Sequence, residues 1–93
     1  MKKTKKKKMK RIVVTARDIA AATPGDPCGC PIALATTRAF NTPCRYYAGP
    51  YIHVGTGPGD SKHYRTPEKC EAFAHAFDAD LAVKPFTFTI ELA

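Results

Sequence analysis

Apolar and polar positions alternate most regularly near the end of the chain, where Phe86, Phe88, Ile90 and Leu92 are interleaved with Thr87, Thr89 and Glu91. A period of two puts every second side chain on one face, so this segment predicts a half-buried strand. Upstream the period lengthens. Cys70, Phe73, Ala74, Phe77 and Leu81 fall at i, i+3, i+4, i+7 and i+11 and share one face of a helix, with Glu68, Glu71, His75 and Asp78 opposite. Thr66-Pro67-Glu68 supplies its start: a capping hydroxyl, a proline whose φ suits the first turn, and an acid at the positive end of the dipole.

The first half is written in shorter phrases. Arg11–Thr15 reads as a β-branched strand. Thr15 and Asp18 have capping-box spacing and predict a short helical turn over Arg17–Ala22, which the two prolines and glycine of Thr23-Pro24-Gly25-Asp26-Pro27 stop. Pro31 opens a second helix running to about Phe40, with Cys30 at its cap and Asn41-Thr42-Pro43 at its end. Cys44–Tyr47, Tyr51–Val54 and Lys62–Arg65 read as extended, with Gly55–Asp60 a loop. The order β-α-α-β-β-β-α-β predicts an α+β domain: one small, mainly antiparallel sheet with two or three helices packed on one face.

Charge divides the chain. Of fifteen basic residues, Lys2, Lys3, Lys5, Lys6, Lys7, Lys8, Lys10 and Arg11 lie in the first eleven positions, which hold none of the eight acids. Residues 12–93 then carry seven basic groups against eight acidic ones. The expected organisation is a flexible basic arm, 1–11, on a near-neutral domain, 12–93. Like charges repel and stay solvated, and such an arm attracts phosphate non-specifically. No apolar run reaches the length of a membrane span, and Ile12–Val14 is too short for the apolar core of a signal peptide. The expectation is a cytoplasmic protein, without a membrane partner, its four cysteines held as thiols. At 93 residues the core is thin, so partner binding or a homodimer would add to stability.

Candidate chemistry is sparse. A thiol at a helix start, as in Cys28-Gly29-Cys30, is drawn toward thiolate. A zinc site on this pair would need two more ligands from Cys44, Cys70, His53, His63 or His75, and no second close pair exists. Structural cysteines, with no metal and no cofactor, are the expectation. The Gly55–Asp60 loop lacks the Gly-Lys-Ser/Thr sequence of a phosphate loop. The only serine, Ser61, lies in a loop without a hydrolase motif, so no catalytic residue is assigned. By contrast, Arg45, Tyr46, Tyr47, Tyr51, His53, His63, Tyr64 and Arg65 crowd into about twenty residues, and they include all four tyrosines. Tyr and Arg concentrate binding energy at interfaces and stack on unpaired bases. Arg45, Tyr46, Tyr47, His53, His63 and Arg65 are therefore the candidate partner-binding set, with Ile52 and Val54 turned inward and His53 and either Tyr46 or Tyr47 outward; the plainer alternative is that alternate residues such as Tyr51 and Tyr64 complete the core.

The segments Val14–Ala20, Pro24-Gly25-Asp26-Pro27 with Cys30–Ala35, and Phe77-Asp78 with Val83–Phe88 resemble a set of small, largely uncharacterised proteins of bacteriophages and bacterial mobile elements. The resemblance covers most of Ile12–Leu92 and none of the arm, and it implies no catalytic residue. It implies a phage-encoded role in host takeover or defence inhibition, including anti-CRISPR-like activity. The function expected is a non-enzymatic binding protein that occupies a surface of a host protein or ribonucleoprotein. The alternatives are a nucleic-acid-associated protein using the basic arm, and a small thiol or zinc protein using Cys28 and Cys30.

Overall fold

Thr15 begins the first helix through a closed capping box: its hydroxyl accepts from the Asp18 N–H at 3.1 Å, and the Asp18 carboxylate accepts from the Thr15 N–H at 2.8 Å. Cys30 caps the second helix through its thiol, which accepts from the Ala33 N–H at 3.3 Å, and Pro31 follows at the first helical position. The computed structural model describes residues 8–55 and 62–92. Its elements are β1 (Met9–Val14), α1 (Ala16–Ala21), α2 (Pro31–Phe40), β2 (Cys44–Tyr46), β3 (Tyr51–Val54), β4 (Lys62–Arg65), α3 (Glu68–Asp78) and β5 (Phe86–Glu91). The order matches the expectation, and the fold is α+β with antiparallel strands.

Among the described residues the strands form two ladders where one sheet was expected: β1 with β5, and β2-β3-β4. The two come together where β4 meets β5. The Thr66 N–H turns back to the Pro50 carbonyl at 2.8 Å, and Pro67 has no N–H, so the segment leaving β4 offers β5 little to pair with. Helix α2 bridges the ladders, packing on β1 and on β2 and β3. Ile12, Val14, Phe88 and Ile90 face inward from the first ladder, Tyr46 and Ile52 from the second. They meet Ile32, Ala33 and Ala35 of α2 and Cys70 and Ala74 of α3. Phe73 packs against Phe86 with ring centroids 4.7 Å apart, and Phe40 stacks on Tyr64 at 5.8 Å.

Three expectations need correction. The basic arm does not extend to residue 11. Met9 pairs with Glu91, Lys10 with Ile90 and Arg11 with Thr89, and the Lys8 carbonyl accepts from the Leu92 N–H at 2.7 Å. The β5 backbone is long enough to zip these residues into the ladder, and the Lys10 ammonium lies 5.5 Å from the centroid of the Phe40 ring. Second, Thr66 does not cap α3. Its hydroxyl donates to the Gly49 carbonyl at 3.2 Å, and Pro67 occupies the cap position.

Third, Leu81 is not on the core face; it is 62% exposed, because α3 stops at Asp78. The stop is a Schellman arrangement, with the Leu81 N–H on the Ala76 carbonyl and the Asp80 N–H on the Phe77 carbonyl. Asp80 stands at φ 64, the left-handed conformation that usually calls for glycine. Asp80→Gly should accordingly stabilise the protein by about 0.5–1 kcal/mol, read as a raised urea midpoint at unchanged slope. An unchanged or lower midpoint would contradict the assigned helix end.

Candidate sheet-face binding site

Strand alternation builds the site. Tyr46, Ile52 and Val54 are buried, and so is Cys44 at the other end of β2. The odd-numbered residues of the same strands must then point outward. The register lines Arg45, His53 and His63 across the three strands as one row and places Tyr51 opposite Arg65 as the next. Tyr47, just past β2, completes the surface. Tyr47 is 58% and Tyr51 45% exposed.

The rings touch in two sets. The His53 and His63 rings meet edge-on with centroids 4.3 Å apart, and Tyr47 meets His53 edge-on at 5.4 Å. The Arg65 guanidinium lies 6.0 Å from the centroid of the Tyr51 ring. Partial burial, with the nearby charges of His63 and Arg45, lowers the basicity of His53 and favours its neutral form. The surface thus offers aromatic and imidazole rings framed by two permanent cations, and none of the six side chains is acidic. The turn that sets Tyr47 holds Ala48 at φ 60, strained for a residue with a Cβ.

Of the expected binding set, Arg45, Tyr47, His53, His63 and Arg65 lie together on this face. Tyr46 does not. It is 2% exposed, its hydroxyl donates to the Gly49 carbonyl at 2.8 Å, and burial pushes its pKa up. Only one of two consecutive tyrosines can face out, and the core takes Tyr46. Ile52 and Val54 are buried as expected, so Tyr51 belongs to the outer face and the alternative that put it in the core fails, while Tyr64 is half-buried against Phe40. Lys8 and Arg11 are exposed. Lys2, Lys3, Lys5, Lys6 and Lys7 lie outside the described residues, as do Ser61 and most of the glycine-rich loop.

The cysteines do other work. Asp26 receives the Cys28 N–H on its carboxylate at 3.0 Å and the Gly29 N–H on its carbonyl. A Cβ at Gly29 would stand 2.7 Å from the Asp26 carboxylate, so the residue between the two cysteines serves this turn. The loop is held to α3 by the Gly25 N–H, which donates to Asp78 at 3.0 Å, and to β2 by the Pro27 carbonyl, which accepts from Tyr46.

Cys28 is exposed and Cys30 is buried. Burial raises the Cys30 pKa and outweighs the helix-start hydrogen bonds, so the expected drift toward thiolate is reversed. Burial also raises Cys44 and pushes Cys70 up to about 12. Among the described residues no three His, Cys, Asp or Glu side chains group as metal ligands, and no helix is long and apolar enough to cross a membrane. No family model, curated protein or solved structure matches the chain.

Proposed function

We propose that the protein is a non-catalytic binding module that engages a larger host protein or ribonucleoprotein through the outer face of β2-β3-β4. The observation that carries this reading is the gathering of Arg45, Tyr47, Tyr51, His53, His63 and Arg65 on one face, with Tyr47, His53 and His63 in contact and Tyr51 beside Arg65, and without a carboxylate among them. Large rings with few rotatable bonds lose little entropy on docking, and arginine adds planar recognition of carboxylate or phosphate. Three of the four thiols are buried and held protonated, which supports structural cysteines over the thiol or zinc alternative. The resemblance to phage proteins would make the partner a host factor and its occupation inhibitory.

Tyr47→Ala and Arg65→Ala should each weaken capture of the partner from a bacterial host lysate by about 1–3 kcal/mol. Neither should move stability by more than about 0.5 kcal/mol, because both side chains are exposed. Val13→Ala, 45% exposed on the other ladder, is the control. If the control weakens binding as much, or if the two variants bind normally, the surface is not the site.

A further inference from the structure

Resting on that reading of the β2-β3-β4 face, we infer that its occupant is single-stranded nucleic acid, the strand that a ribonucleoprotein exposes. Three features converge on this chemistry. Strands lie about 4.8 Å apart, so rings on neighbouring strands stand close together, with Tyr47 and His63 each edge-on to His53, and successive bases can meet them in turn. Tyr47, Tyr51, His53 and His63 supply such rings, and an aromatic face stacks on any base. Arg45 ends one row of the register and Arg65 pairs with Tyr51 in the other, so cations border the rings on both outer strands, where a sugar-phosphate backbone would run.

The third feature links this face to the basic segment. Met9, Arg65, Thr66, Pro67, Thr89 and Glu91 line one shallow groove where β4 meets the first ladder. Met9 at the start of β1 and Arg65 at the end of β4 therefore line the same groove, and the sequence before Met9 is rich in lysine. Glu91 is the acid of the groove; none of the six face residues is acidic. An acidic protein surface would match the arginines but leave the rings without flat partners. A duplex would match the charge but keep its bases stacked inside. A single strand meets both demands.

The test uses the full chain and labelled oligonucleotides of about 12 nucleotides, a length within the usual span of one small binding domain. Oligo-dT, oligo-U and a duplex of equal length are titrated by fluorescence anisotropy at about 50 and 200 mM salt. The expected result is preference for both single strands over the duplex. Tyr47→Ala with Tyr51→Ala should weaken single-strand binding by roughly thirtyfold or more, and Tyr47→Phe, which keeps the ring, should bind like the parent. Arg45→Ala with Arg65→Ala should lower the slope of log affinity against log salt by about 1.4. Unchanged thermal midpoints show that the variants are folded.

Equal affinity for strand and duplex, insensitive to the tyrosines, would overturn the inference in favour of charge attraction by the lysines alone. Absence of oligonucleotide binding would overturn it as well. Tyrosine-dependent capture of a lysate protein after nuclease treatment would then show that the binding-module reading survives with a protein as occupant.

Discussion

Arg38→Ala is expected to destabilise the protein by about 2–3 kcal/mol. Arg38 reaches from α2 to the buried start of α1, where it donates to both oxygens of the Asp18 carboxylate at 2.6 and 2.9 Å and to the Val13 carbonyl at 2.8 Å. The Asp18 side chain is 6% exposed and that of Arg38 53%. Truncating the arginine leaves a carboxylate with little access to water. The stated cost lies below that of fully buried pairs because solvent already reaches the guanidinium. Asp18→Asn should cost less, about 1–2 kcal/mol, because an amide oxygen can still receive the Thr15 N–H.

Acid should expose the same contact. Burial works to raise the Asp18 pKa, but the hydrogen bonds from Arg38 and Thr15 and the Arg38 charge outweigh it and leave it below its ordinary value. A carboxylate depressed in the folded state contributes stability above its unfolded pKa of about 3.9 and loses it as pH falls through the folded value. Urea unfolding from neutral to acid pH should show a constant gap between parent and Asp18→Asn down to about pH 5, closing below about pH 4. A gap that stays constant to the lowest pH would mean that this carboxylate is not held in its charged form.

Phe88→Ala should cost more, about 3–5 kcal/mol, which approaches half the stability of a domain of this size. Phe88 is 1% exposed, lies opposite Ile12 in the first ladder and stacks on Phe86 with centroids 5.8 Å apart. Its removal leaves a void in the shared buried cluster. Phe88→Leu, which refills much of the space, should recover most of the loss. The check is the urea midpoint at constant slope for both variants. A loss under about 1 kcal/mol for Phe88→Ala would mean that the two ladders do not share one core.

These side chains were not equally legible in the sequence. Phe88 could be read as buried because the alternation from Phe86 to Leu92 is uninterrupted, and the capping box of Thr15 and Asp18 because its partners are three residues apart. The Arg38 contact could not, since nothing local joins α2 to a cap twenty residues upstream. On the candidate site, composition showed that tyrosine and arginine cluster between residues 45 and 65. It could not decide between Tyr46 and Tyr47, because tyrosine suits a core and a surface equally well and only the register assigns the face, whereas Ile52 and Val54 could be read as the inward set, and both are buried. Leu81 continued the helical period perfectly well, but Asp80 ended the helix at a position where no glycine signalled it. The N-terminal lysines read as one solvated run until strand pairing drew Lys10 and Arg11 out of it.

The pairing of β1 with β5 sets an order on folding. The first strand must wait for the last, so during synthesis Ile12 and Val14 emerge with no ladder to join until more than seventy further residues have been made. The three-stranded sheet has shorter connections and can close earlier. In that interval the apolar strand needs shielding from other chains. The lysines immediately before it, which repel their own copies on neighbouring nascent chains, are placed to act as its gatekeepers.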